Sequence, residues 1–131
     1  SVSEHPLDDM ISEFGMINPD VDGKPYQYVW EMTTKPGWFL FTGITRLNVK
    51  TGQRQGYEFP PGVYASESPV IPARTNDRED GGFVITVISD MNEDSSSCLV
   101  FNADDLTHGP VATIKLPERV CVGTHSYWEN A

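Results

Sequence analysis

The run Gly81-Gly82-Phe83-Val84-Ile85-Thr86-Val87-Ile88-Ser89 decides the fold class. Two glycines open it, and residues 83–88 are all aliphatic, aromatic or β-branched, the types that pack well on a pleated surface. Phe83, Ile85 and Val87 fall on one face and Val84 and Ile88 on the other. The strand is therefore expected to be buried on both sides. It is also the longest apolar run in the chain, far short of a membrane-spanning length.

Outward from this strand the pattern repeats in short pieces. Downstream lie a solvated loop over 91–97, a strand over 98–102, a turn at Asp104-Asp105-Leu106 and a strand over 111–116. Upstream, a charged loop over 75–80 follows the apolar pair Val70-Ile71. Before it, Pro60-Pro61-Gly62 ends a strand through Tyr57 and Phe59. That strand returns from Lys50-Thr51-Gly52-Gln53, a hairpin loop with glycine at the left-handed position. Residues 38–50 and 26–33 read as further strands, the latter with Tyr26, Tyr28 and Trp30 on one face, separated by Lys35-Pro36-Gly37. The stretch 13–19 reads as irregular, with a turn at Asp22-Gly23 after it. Residues 1–12 are polar and suggest at most a short helical turn near 7–11. No stretch sustains a 3.6-residue apolar period, so helix is minor.

The 131 residues suffice for one modest segment, and 11 glycines with 10 prolines suit many short strands. A net charge of −10 repels phosphate backbones and argues against nucleic acid as a partner. Cys98 and Cys121 form neither a CxxC pair nor a disulfide framework, so a reducing, cytoplasmic setting is expected. No signal peptide or Asn-x-Ser/Thr acceptor is legible, and the start at Ser1 without an initiator Met leaves room for excision from something longer. Six or so strands joined by hairpin loops point to antiparallel sheets of a propeller or a sandwich. A propeller blade takes about 40–50 residues and a ring at least about four blades. The chain would then be an arc of about three blades.

His125 stands near the C-terminus, close to Gly123 and between Thr124 and Ser126. A neutral imidazole can bind a borderline metal such as Fe(II) while its other nitrogen is held elsewhere. By itself a histidine near a terminus is an ordinary surface residue. The order of motifs changes that reading: Glu13-Phe14-Gly15-Met16-Ile17-Asn18, Arg46-Leu47-Asn48-Val49-Lys50-Thr51-Gly52, Ser66-Glu67-Ser68-Pro69-Val70-Ile71-Pro72, Glu79-Asp80-Gly81-Gly82-Phe83, Phe101-Asn102-Ala103-Asp104-Asp105-Leu106, and the closing Leu116-Pro117 with Gly123-Thr124-His125. Taken together and in this order, they resemble the C-terminal part of the carotenoid cleavage oxygenases, which include lignostilbene dioxygenases and the retinoid isomerohydrolase.

The resemblance implies an all-β, seven-bladed propeller with Fe(II) on its axis, held by four histidines from different blades. His125 matches one ligand position, and Glu67 and Glu13 match two carboxylates that hold such imidazoles. A carboxylate on the free ring N–H fixes the tautomer and raises the basicity of the metal-bound nitrogen. Glu67 and His125 are 58 residues apart (125 − 67), more than one blade, so their meeting is expected to depend on the ring geometry. Thr124 and Ser126 replace the Phe and Gly common around this ligand, which alters the pocket wall, and Gly15 stands where Pro is usual. His5 and His108 match no ligand position and read as solvated; Trp30, Trp38 and Trp128 read as blade packing.

Two function classes follow. The first is the C-terminal part of a non-haem Fe(II) dioxygenase that cleaves a conjugated C=C bond of an apolar carotenoid, apocarotenoid or stilbene with O2. An isomerohydrolase acting on a retinyl ester would share the metal site, and the intact protein could touch a membrane peripherally. The second is a non-catalytic propeller fragment or truncated paralogue acting as a structural or binding piece. A histidine inventory separates them, because a complete site needs three more His from the remaining blades or a second chain.

Overall fold

The computed structural model describes residues 1–75 and 77–129. Nine strands follow one another: β1 Ser12–Met16, β2 Tyr28–Thr33, β3 Gly43–Asn48, β4 Arg54–Glu58, β5 Val63–Ala65, β6 Val70–Pro72, β7 Gly82–Asp90, β8 Ser95–Asn102 and β9 Ala112–Lys115. A single 3-10 turn, Pro19–Val21, is the one helical element among the described residues. All strand pairs are antiparallel. β1 to β4 form one sheet in sequence order; in the other, β7 pairs with β5, β6 and β8, and β8 with β9.

The length estimate of about three blades thus resolves into two blade-sized sheets. The remaining residues are spent on strandless stretches at either end, 1–11 and 116–129. The helical turn expected near 7–11 does not form. Leu7, Met10 and Ile11 are exposed, and a single turn with no packed face has nothing to offset its nucleation cost. Asp8 instead takes the amide of Met10 and pairs with Arg54 on β4. The stretch expected to be irregular around Glu13 is β1, with a register break between Glu13 and Met16 and Phe14 at φ 52°.

The core lies between the sheets. Trp30, Met32 and Ile44 from the first meet Val84, Leu99 and Phe101 from the second, all nearly inaccessible. Trp30 Nε1 donates to the carbonyl of Ala103 at 3.0 Å, so a buried donor is satisfied across the interface. Glu79 reaches from the loop before β7 to accept the amides of Gln27 and Tyr28 at 2.6 and 2.7 Å. Arg46 pairs with Asp80 at 2.7 Å while lying over the Tyr28 ring. Of the three tryptophans only Trp30 is core; Trp38 and Trp128 are half exposed.

The hairpin at Gly52 is as the sequence predicts, with φ 73° and its amide bonded to the Asn48 carbonyl. β7 departs from expectation. Val84 and Thr86 are buried, but Phe83 on the other face is 43% exposed and Ile85 and Val87 are only half buried. Within these residues that face is covered by the strandless C-terminal stretch and not by a second sheet.

Candidate metal centre

The edge of β7 carries a strand in two pieces. β5 pairs with Ile88–Asp90 and β6 with Gly82–Val84, and residues 66–69 bulge between them. Pro69 and Pro72 lack the amide a continuous ladder needs, which confines this sequence to a broken edge. The break is nonetheless anchored: Ser66 N–H donates to Val87 O at 2.9 Å and Ile85 N–H to Pro69 O at 3.2 Å. The Ser66 carbonyl also accepts the hydroxyls of Ser68 and Thr86. Glu67 sits at this break, 8% exposed. A bulge re-aims a side chain that a regular ladder would fix.

His125 comes from the stretch after β9. The Ser126 amide donates to Glu67 Oε2, and the Ser126 hydroxyl donates back to the Glu67 carbonyl at 2.8 Å. His125 Nδ1 then lies 3.5 Å from Glu67 Oε2. The ring edge meets Phe14, centroids 5.4 Å apart and nearly perpendicular, and Phe14 in turn packs on Phe41. The imidazole itself is largely exposed, and Nε2 bonds to no described residue. Beneath lies a cavity of about 370 Å³ walled by Ile85, Val87, Tyr127 and Trp128 beside Glu67 and His125. A larger hollow of about 710 Å³ near Arg74 and Phe83 includes neither Glu67 nor His125.

The meeting of Glu67 and His125 does not depend on a ring. Both belong to the second sheet and the stretch that crosses it, so one blade-sized unit brings them together. Glu13 is not brought to them: it is exposed on β1, opposite Met32, and its neighbour Phe14 is the residue that reaches His125. Phe14 was missed as a site residue because its aim depends on a positive φ in a bulge, which no local pattern announces. His108 pairs with Asp105 at 2.8 Å on the surface, and His5 is exposed. Hydrogen bonds from the Thr107 hydroxyl and amide hold the Asp105 carboxyl below its usual range.

A divalent iron asks for neutral imidazole nitrogens with their second nitrogen held by an acceptor. His125 is placed for that role: its Nδ1 lies 3.5 Å from a carboxylate oxygen and its Nε2 is open. Among the described residues no group of three or more His, Cys, Asp or Glu converges, so the donor set here fits one ligand position of such a centre.

The family model described as retinal pigment epithelial membrane protein matches residues 1–130. The chain belongs to the carotenoid cleavage oxygenase family. It is 30% identical to the carotenoid 9,10(9',10')-cleavage dioxygenase 1 of Pisum sativum, over 96% of this chain and 26% of that protein. It is 24% identical to lignostilbene-alpha,beta-dioxygenase isozyme III of Sphingomonas paucimobilis, over 95% of this chain and 28% of that one. In three dimensions this oxygenase-family chain superposes on the Pseudomonas brassicacearum lignostilbene dioxygenase with a TM-score of 0.89 at 23% identity, covering 96% of its own length and 28% of the other. A Synechocystis ACO mutant gives 0.93 at 23%, covering 100% and 28%. The chain spans about a quarter of the length of these relatives. Its two antiparallel sheets are an arc of their β-propeller fold.

Proposed function

We propose that this chain is the His125-bearing part of a non-haem Fe(II) dioxygenase that cleaves a conjugated C=C bond of a carotenoid, apocarotenoid or stilbene. One O2 is consumed and its two oxygen atoms end on the two carbonyl products. The observation that carries the reading is the Glu67–His125 pair, with Nδ1 facing a buried carboxylate and Nε2 open. Relatives named for carotenoid and lignostilbene cleavage support the reaction class.

Iron bound to His125 and to three imidazoles outside this chain supplies the activation of O2. The chain's own residues orient and enclose. Glu67, 3.5 Å from Nδ1, is the acceptor nearest that nitrogen, the arrangement that turns Nε2 toward a metal. Phe14 limits rotation of the ring by packing against its edge. The Glu67 carboxylate itself is buried at the β5–β6 break, which strengthens its effect on the neighbouring ring.

The test uses the full-length protein carrying this segment. His125→Ala is expected to lose bound iron and cleavage together, while the wild type converts an apocarotenoid or stilbene to two carbonyl compounds that each carry label from ¹⁸O2. Undiminished iron in the variant, or no labelled carbonyl from the iron-loaded wild type, would overturn the assignment.

A further inference from the structure

The stretch that bears His125 is held in an unusual way. Its last ladder-like contact is Leu116 N–H to Ser96 O at 2.9 Å, and residues 117–126 make no backbone–backbone hydrogen bond to another described residue. A segment without such bonds normally frays into solvent. Here side-chain hydroxyls of the second sheet replace the missing ladder. Ser96 Oγ accepts the Val120 amide at 3.0 Å and donates to the Val120 carbonyl at 3.3 Å. Ser89 Oγ donates to the same carbonyl at 3.0 Å. Ser66 Oγ accepts the Gly123 amide at 2.8 Å. The three serines are 6% exposed or less, and they come from three places: the β5–β6 break, β7 and β8.

Burying hydroxyls in a sheet face is unfavourable unless they are bonded. Alanine would serve mere packing at these positions. The bonds of Ser89 and Ser96 go to Val120, five residues ahead of His125, and that of Ser66 to Gly123, two residues ahead. Glu67 grips Ser126, one residue after it. The imidazole is thus suspended between fixed points on both sides, while the ring itself stays exposed. Gly123 fits this seat closely, since a Cβ there would lie 3.3 Å from Ser66 Oγ.

We propose that Ser66, Ser89 and Ser96 are positioning residues for His125: a hydroxyl cradle that holds an otherwise unladdered segment at the height where its imidazole can serve as a metal ligand. This rests on the reading of His125 as a ligand, but the cradle can be tested apart from it. In the metal-free full-length protein, Ser66→Ala and Ser96→Ala are each expected to speed amide hydrogen exchange at Val120, Gly123 and Ser126 by about ten-fold or more, since the first loses one modest bond and the second two. Exchange in β2, β3 and β7 and the global unfolding midpoint should stay near those of the wild type. Loaded with cobalt(II) chloride, the same variants should show a shifted visible d–d band, which reports ligand geometry and which a purely structural role would leave in place. Should Ser96→Ala not fold, Ser89→Ala carries the test, since Ser96 still bonds the Val120 carbonyl in it. Unchanged exchange over 120–126, equal acceleration throughout the protein, or local acceleration with an unmoved band would each overturn the cradle. A wild type that takes up no cobalt would instead sink the metal assignment, with the exchange data still deciding whether the cradle exists.

Discussion

Glu67 makes two contacts with one carboxylate, taking the Ser126 amide and facing Nδ1 of the neighbouring ring. The two can be separated. Glu67→Gln keeps an oxygen for the amide but removes the negative charge from Nδ1. In the full-length protein it is expected to weaken iron binding by about 10–100-fold, as measured by competition with a chelator, while the Ser126 amide stays protected from exchange. Affinity equal to that of the wild type would mean that the 3.5 Å approach is incidental. Phe14 belongs to the same scale. A non-glycine residue at φ 52° costs about 1 kcal/mol or more, and packing against His125 and Phe41 is what the structure sets against it.

At the level of elements, two glycines distinguish backbone conformation from close approach. Gly52, at φ 73° in the hairpin before β4, has open space where a Cβ would stand. Gly82, at φ 103° where β7 meets β6, would place a Cβ 2.0 Å from the Ile71 carbonyl. Gly52→Ala should therefore cost about 1 kcal/mol and Gly82→Ala about 3 kcal/mol, because only the second must also push β6 off its partner. Urea titrations of the two variants check the order. The N-terminal stretch is tied to β4 by Asp8 and Arg54, whose hydrogen bond lowers the Asp8 carboxyl below its ordinary value. A lowered folded-state value means that this contribution is present above the unfolded carboxylate pKa of about 3.9 and is lost as pH falls through the folded value. The stability gap between wild type and Asp8→Asn should accordingly close on acidification. A gap that persists unchanged at the lowest pH at which both fold would refute the pairing.

For the whole molecule, two sheets bolted by Trp30, Glu79 and Arg46 leave strand edges open. β9 is exposed along all four residues, with Ile114 56% exposed, and Phe83 and Val111 also face outward. Open edges and apolar patches favour pairing with another chain. Residues 1–131 produced by themselves should self-associate at micromolar concentration and should not retain stoichiometric iron after dialysis against a chelator, because one imidazole cannot hold the ion. Light scattering and metal analysis read the two outcomes. A clean monomer with a cooperative thermal transition would mean that these two sheets close their own core.

What the sequence by itself determined is the all-β architecture, six of the nine strands (all but β1, β5 and β6), the left-handed Gly52 and the family. Apolar alternation and turn chemistry are local, and a string of short motifs in order was enough to point to a family whose relatives are 30% and 24% identical to this chain. Local pattern also allowed a helical turn at 7–11 and an irregular stretch at 13–19, because neither Arg54 as a partner for Asp8 nor Met32 opposite Glu13 is visible in neighbouring residues. Only the tertiary structure decided that Glu67 and His125 meet within a single blade-sized unit, that Phe14 packs on the imidazole, and that three buried serines hold its backbone. Those outcomes depend on a bulge, a positive φ and a segment crossing a sheet face. Each is fixed by long-range contacts that local preferences do not announce, and the positive φ of Phe14 runs against them.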